Sequence, residues 1–201
     1  MLARIISVLV PPLCVACGAD AGRAAPLCRE CRARMRQSHT SMAPWAAFDY
    51  DGPAGALVRA LKFGGRAGIA DLMAAHIAAL APPELLRGSI VPVPVHPRHR
   101  RQRGIDHGQA LARSLARRTG LPCVCCLARG GDPLPQVGRG RRARMQGPTG
   151  TVTVGTPPPS EVLLIDDVVT TGATLAACIT ALRDSGCDRI TPIVYARTTG
   201  R

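Results

Sequence analysis

The sequence predicts an α/β fold, a Rossmann-like parallel sheet flanked by helices, with a small cysteine-rich segment in front of it. Three observations lead there. Val162, Leu163, Leu164 and Ile165 form an unbroken aliphatic run, as suits a strand covered on both faces, which has no solvent side for polar residues. A helical pattern through Leu175, Ile179 and Leu182 follows, and then a β-branched strand pattern over 189–196. Strand, helix and strand in that order build a parallel sheet. Near the start, Cys14-x2-Cys17 is followed after ten residues by Cys28-x2-Cys31, two thiol pairs at the spacing of a zinc-ribbon knuckle. Residues 1–40 are therefore expected to carry an N-terminal helix and the cysteine segment, and 41–201 the α/β domain.

At 201 residues the chain has room for one α/β domain and a small appendage, and a hydrophobic content of 46% is ordinary for a globular protein. Aromatic residues make up only 2%, so the core must be built from Ala, Leu, Val and Ile. Trp45, Phe48, Tyr50, Phe63 and Tyr195 are the whole supply, which argues against a platform that stacks successive bases of single-stranded nucleic acid. The formal charge of +13 still favours a polyanion, whether nucleic acid, an anionic membrane or a polyphosphate substrate. Of the 26 basic residues only Lys62 is lysine, as in a chain shaped by a GC-rich coding sequence. Arg98, Arg100, Arg101 and Arg103 form one cluster, and Arg139, Arg141, Arg142 and Arg144 another. Each reads equally as a solvated loop or as an anion-binding loop.

No apolar run reaches the roughly 18 to 20 residues of a membrane span. Residues 1–10 contain Arg4, stop at Pro11-Pro12 and lack a small-residue cleavage site, so they read as a short packing helix and not as a signal peptide. A cytoplasmic protein is expected. In such a compartment two disulfides suit the four front cysteines poorly, an iron–sulfur site is the other alternative, and structural zinc held by Cys14, Cys17, Cys28 and Cys31 is favoured. Gly18 and Gly22 would let the chain turn tightly behind the first pair, and Pro26 would stiffen the approach to the second. A closed four-sulfur shell leaves no position for substrate, so its role is folding or docking. Cys123, Cys125 and Cys126, in a strand-like segment, and Cys178 and Cys187, in or just after the last helix, read as small buried hydrophobes.

Along the middle of the chain, a strand over 45–50 leads into the turn Asp51-Gly52-Pro53 and a helix carrying Leu57, Val58, Leu61 and Lys62, which Phe63-Gly64-Gly65 breaks. A helix over 69–80 places Leu72, Met73, His76, Ile77 and Leu80 on one stripe, with His76 packed among them. In 89–95, Pro92 and Pro94 remove ladder donors and point to an edge strand. That strand empties into the first arginine cluster ahead of a helix over 109–118, placing cations at the carboxyl edge, where open α/β sheets hold ligands. Thr151-Val152-Thr153-Val154 is expected to add a strand, Thr156-Pro157-Pro158-Pro159 a stiff connector, and a helix over 173–185 ends at Gly186.

Directly after the aliphatic run come Asp166 and Asp167, then Val168-Val169 and Thr170-Thr171-Gly172-Ala173-Thr174. Two adjacent acids at a buried strand end are costly without a ligand or cation. The turn gathers amides and hydroxyls at a helix N-terminus, a setting that binds phosphate. The bland alternative is acids that cap the next helix beside ordinary turn threonines, but one acid suffices for capping. The pattern closely resembles the ribose-phosphate signature of type I phosphoribosyltransferases. By that resemblance Asp166 and Asp167 hold the ribose hydroxyls of phosphoribosyl pyrophosphate (PRPP), while Thr170, Thr171, Gly172, Ala173 and Thr174 wrap its 5-phosphate.

The order of features over nearly all of 11–197 is a four-cysteine front, Leu61-Lys62-Phe63, Pro92-Val93-Pro94-Val95-His96-Pro97 with Arg101-Gln102-Arg103-Gly104, a Gln-containing basic loop and the PRPP motif. It is similar to the ComF family, phosphoribosyltransferase-like proteins named for competence, the uptake of DNA. The resemblance implies a transferase of the glycosyltransferase kind that releases pyrophosphate, with magnesium accompanying PRPP and an unassigned acceptor. It implies Arg101 and Arg103 as catalytic charge stabilisers with the acids, and Arg98, Arg101, Arg103, Gln136 and Arg144 as the pyrophosphate and flap residues. Single-stranded DNA or DNA-uptake proteins become candidate partners, and a homo-oligomer is compatible. Where the family usually has an aromatic, Asn and Gln after its Arg-Gly, this chain has Ile105, Asp106 and His107. Pro133 stands where the family often has Thr, and Gly147 where it often has Asn. The competing function is a non-catalytic PRPP sensor or nucleic-acid-binding scaffold. A pure zinc-knuckle nucleic-acid module would leave the second half of the chain without a role.

Overall fold

The computed structural model describes residues 13–22, 25–39, 43–63, 68–96, 106–130 and 151–198. The helix expected over 1–10, the arginine cluster from Arg98 to Arg103 and the loop carrying Gln136 and Arg144 lie outside them. Four strands, β1 (Trp45–Asp49), β2 (Ser89–Pro92), β5 (Glu161–Val169) and β6 (Arg189–Arg197), form a wholly parallel sheet in the order β1-β6-β5-β2. The aliphatic run therefore lies on an interior strand, with Val162, Leu163, Leu164 and Ile165 completely shielded from solvent. Strand β5 does not end at the acids. It pairs with β6 as far as Val169 opposite Arg197, which sets both carboxylates within the ladder.

Helices α2 (Gly52–Phe63), α3 (Ile69–Leu80) and α4 (His107–Thr119) cover one face, where Leu57, Ile77, Leu111 and Leu115 meet Leu163, Ile165 and Tyr195. Helix α5 (Ala173–Asp184) covers the other, where Leu175, Cys178 and Leu182 meet Leu164 and Val194. The two faces take alternate residues of β5, as the two-residue period of a strand requires.

Strand β2 lies at the sheet edge, as its prolines predict. Its start is pinned by Gly88, whose φ of +72° suits glycine, and a Cβ there would come within 2.4 Å of the Glu161 carbonyl oxygen. Strand β4 (Val152–Val154) departs from expectation. It leaves the main sheet and pairs antiparallel with β3 (Leu127–Arg129), the two lying over the α5 face with Leu127 and Val152 buried. The strand-like region around Cys123 makes only one bridge, to Ile90 of β2, and the strand starts later, at Leu127.

The other edge, β1, is screened by the chain after the short helix α1 (Arg29–Ala33): Ser38 N–H donates to Ala47 O at 3.2 Å and Asp49 N–H to Arg36 O at 3.0 Å. The cysteine segment joins the same core, since Cys14, Leu27, Cys28 and Cys31 share one buried cluster with Phe48, Ile77 and Tyr195. His76 is packed there as expected. Its ring meets Phe48 edge-on and stacks against Tyr195, with Nδ1 3.0 Å from the Tyr195 hydroxyl.

Burial, and secondarily the charge of Arg32, lowers the His76 pKa below its ordinary 6.5. A base whose folded pKa is depressed gives stability that is present above the unfolded pKa and lost as pH falls below it, because the unfolded chain takes the proton first. Urea unfolding between pH 7 and pH 5 should therefore show a steeper loss of stability for the native protein than for His76→Gln.

Candidate functional site

At the carboxyl end of β5 the chain offers three groups in succession: two acids, a hydroxyl-rich turn and the start of α5. The acids point to opposite faces. Asp167 projects toward α2 and α4 and is 2% exposed. Lys62 Nζ, in the last turn of α2, lies 3.0 Å from Asp167 Oδ1, and His107 Nε2, the first residue of α4, lies 3.3 Å from Oδ2. Both partners are themselves mostly shielded, with Lys62 21% and His107 8% exposed along the side chain.

Asp166 falls on the α5 face and keeps part of its surface open. Its Oδ1 accepts the Asp167 backbone N–H at 2.8 Å. Burial of the carboxyl group, then the neighbouring charge of Asp167, pushes Asp166 up to about 8; that hydrogen bond and the charges of Lys62 and Arg129 offset only part of the rise. A carboxyl held in this way awaits a cation or a hydrogen-bonding ligand, and a magnesium ion fits its chemistry.

The turn leaves β5 through exposed Thr170 and Thr171. Gly172 caps α5 in the left-handed region at φ 78°, ψ −2°, and makes no side-chain cap hydrogen bond. A β-carbon at that φ would be strained, and a glycine cap leaves the first amides of α5 without the side-chain oxygen that normally satisfies them. Only a long 3.4 Å contact links the Ala173 amide to Thr171 Oγ1. Behind the turn, between α5 and the β1 edge, lies a mainly apolar pocket of about 290 Å³ bordered by Pro44, Thr171, Leu175, Ile179 and Pro192.

Sequence reasoning placed the acids and the turn together, and the structure does so. It missed Lys62, His107 and Arg129 as neighbours of the acids. One signal was present: Lys62 is the lone lysine of an arginine-rich chain. Two of the residues that differ from the ComF pattern also have visible contacts. Asp106 caps α4 by accepting the Gln109 N–H at 2.9 Å, and His107 reaches Asp167.

The four front cysteines converge. Their sulfur atoms all lie within 4.8 Å of one another, and Cys17 Sγ stands 3.7 Å from Cys28 Sγ. A tetrahedral ion with sulfurs about 2.3 Å away sets them about 3.8 Å apart, so the cluster fits a metal ion such as zinc. The same spacing is far beyond a disulfide, and all four are free thiols. Gly18, at φ 78°, closes the first turn with its N–H on Cys14 O at 2.9 Å, and Cys28 caps α1, accepting the Cys31 N–H at 3.5 Å. Burial opposes ionisation of Cys14, yet N–H groups of Cys28, Cys17 and Ala16 bring it down to about 6. Burial and the three neighbouring thiols push Cys31 up to about 12, a conflict that a bound cation removes. Of the remaining cysteines, Cys126, Cys178 and Cys187 are buried as expected and Cys123 is half-buried. Cys125 departs from expectation: it is exposed and accepts from Gln109 Nε2 at 3.0 Å.

No protein-family model matches the chain, and no curated protein does. Among solved structures the chain is similar to glutamine PRPP amidotransferase from B. subtilis complexed with ADP and GMP, at 17% identity and a TM-score of 0.44, over 68% of this chain and 30% of that one. It is similar to Leishmania donovani UMP synthase at 16% identity and 0.40, over 84% of this chain and 29% of the other. APRTase from Giardia lamblia complexed with 9-deazaadenine gives 16% and 0.41, over 85% and 97%. The chain thus spans under a third of the length of the first two. Among the described residues no helix is long and apolar enough to cross a membrane.

Two outcomes follow. An acid whose folded pKa is raised from 3.8 to about 8 gives stability that is present at low pH and lost as pH rises between those values. Asp166→Asn should therefore raise the melting temperature of the ligand-free protein at pH 7.5, with little effect at pH 4. Removing metal with a strong chelator should lower the melting temperature by several degrees and expose four additional thiols to a thiol reagent, and Cys31→Ser should reproduce the loss.

Proposed function

We propose that this chain binds PRPP at the carboxyl end of β5 and belongs functionally with the ComF-type phosphoribosyltransferases, passing the phosphoribosyl group to an acceptor with release of pyrophosphate. The observation that carries the proposal is the sequence of groups along one backbone: two carboxylates inside a buried strand, then a threonine-rich turn whose glycine leaves the first amides of α5 open. The 5-phosphate would sit on those amides and the hydroxyls of Thr170, Thr171 and Thr174, where hydrogen-bond donors and the helix dipole favour an anion. Of the acid pair, Asp166 would fix the ribose. Asp166 is the carboxyl that would meet magnesium, and the ion, when bound, neutralises charge on the diphosphate.

In the transfer step the C1–oxygen bond to the diphosphate breaks and its electron pair leaves with pyrophosphate. A lone pair on the acceptor forms the new bond at C1, and the acceptor's proton passes to solvent. Arg98, Arg101 and Arg103 from the first loop, with Gln136 and Arg144 from the second, are the proposed stabilisers of the departing charge. The four cysteines would hold structural zinc and so brace the segment that packs on α3. The charge of +13 and the zinc module support single-stranded DNA or DNA-uptake proteins as partners, and free thiols suit a reducing cytoplasm.

Calorimetric titration with magnesium and PRPP tests the reading. The native protein should bind, and Asp166→Asn should weaken binding at least tenfold. Because Asp166, raised to about 8, must lose its proton on meeting the cation, binding at pH 7 should release close to one proton, seen as a dependence of the heat on buffer ionisation enthalpy. Gly172→Val should weaken binding without touching the acids. Absence of binding by the native protein would refute the proposal. Binding without pyrophosphate release for any base or amine would limit the protein to sensing.

A further inference from the structure

The acids of the pair differ in a way that their adjacency in sequence does not suggest. Asp167 Oδ1 is paired with Lys62 Nζ at 3.0 Å, Oδ2 stands 3.3 Å from His107 Nε2 without making a hydrogen bond, and the side chain is 3% exposed. Asp166 projects to the opposite face and has no ion-pair partner within 4 Å among the described residues. A ligand that took Asp167 would have to displace an ammonium group and an imidazole from a shielded carboxylate, and removing one partner of such a pair leaves buried charge uncompensated.

We propose that the pair is divided in labour: Asp167 is an anchor clamped by Lys62 and His107, these two are positioning residues, and Asp166 is the acid that meets the ligand. The proposal rests on the PRPP reading for the identity of that ligand, but the clamp itself does not. The clamp draws together the last turn of α2, the first turn of α4 and the centre of β5, so it fixes the strand end from which Asp166 and the phosphate turn project. His107 sets its ring beside Oδ2 from the first position of α4, where the capping is done by Asp106. Lysine suits the other position: its compact ammonium reaches one carboxylate oxygen past the mostly buried α2 stem, whereas a guanidinium needs a wider planar slot.

Two measurements test this. The chain has one lysine, so uniform labelling with 15N-lysine gives one side-chain ammonium signal. In the ligand-free protein it should show slowed hydrogen exchange, lost in Asp167→Asn; a freely exchanging signal that Asp167→Asn leaves unmoved would overturn the clamp whether or not PRPP binds. The second is a double-mutant cycle on magnesium–PRPP affinity. Lys62→Met and Asp167→Asn should each weaken binding about tenfold, and the double variant should be no worse than either, because one acts through the other. His107→Gln, which keeps a polar group beside Oδ2, should retain binding within about threefold while His107→Leu loses it. Losses that multiply in the double variant would mean that Lys62 touches the ligand directly, and would overturn the positioning role. Failure of the native protein to bind PRPP would sink the ligand assignment alone and leave the ammonium signal to decide the clamp.

Discussion

Two carboxylates sit side by side inside an interior strand that is shielded from solvent over the four residues before them, and the arrangement of the site follows from how that charge is accommodated. Strand alternation sends them to opposite faces. On one face the charge is met by Lys62 and His107, drawn from helices on either side of the β2 crossover. On the other it is only partly compensated, so Asp166 holds its proton up to about pH 8. An acid that is neutral at rest and ionises on meeting a cation gives a site that is tolerable when empty, as the proposed magnesium-bearing sugar diphosphate requires. Burial therefore does two things here: it secures one acid and primes the other.

The same strand delivers the turn that follows. Because β5 runs on to Val169, the threonines emerge beyond the sheet's edge, and Gly172 reverses the chain into α5 with its first amides open. At the front of the molecule the cysteine cluster obeys similar logic. Four thiols within 4.8 Å of one another cannot all ionise without a cation, and Cys14 and Cys31 are pulled in opposite directions. Since Cys28 and Cys31 share a core with Tyr195 and Ile77, metal at the front bears on the packing behind the sheet.

What could be read from the sequence was local. The aliphatic run, the acids, the threonine turn and the cysteine spacing each lie within a short stretch, and each carries its own chemistry through periodicity or ligand count. The edge position of β2 was legible because Pro92 cannot donate to a ladder. What escaped was set by long-range packing. Lys62 and Asp167 are separated by about half the chain, and nothing near Lys62 distinguishes an ion-paired lysine from a solvated one except that every other basic residue is arginine. The departure of β4 into its own antiparallel pair also could not be read, since Val-Thr-Val alternation describes a half-buried strand without saying which partner it takes. Asp106 and His107 stand where the family usually has Asn and Gln, and the fold makes Asp106 a helix cap and sets the His107 ring 3.3 Å from Asp167.

The most direct measurement is the crystal structure of the protein grown with magnesium and PRPP. The predicted result places the 5-phosphate on the amides of Ala173 and Thr174, Asp166 against the ribose hydroxyls, and Asp167 still held by Lys62 and His107. Ligand density elsewhere on the molecule, or Asp167 released from Lys62 to bind the sugar, would contradict it.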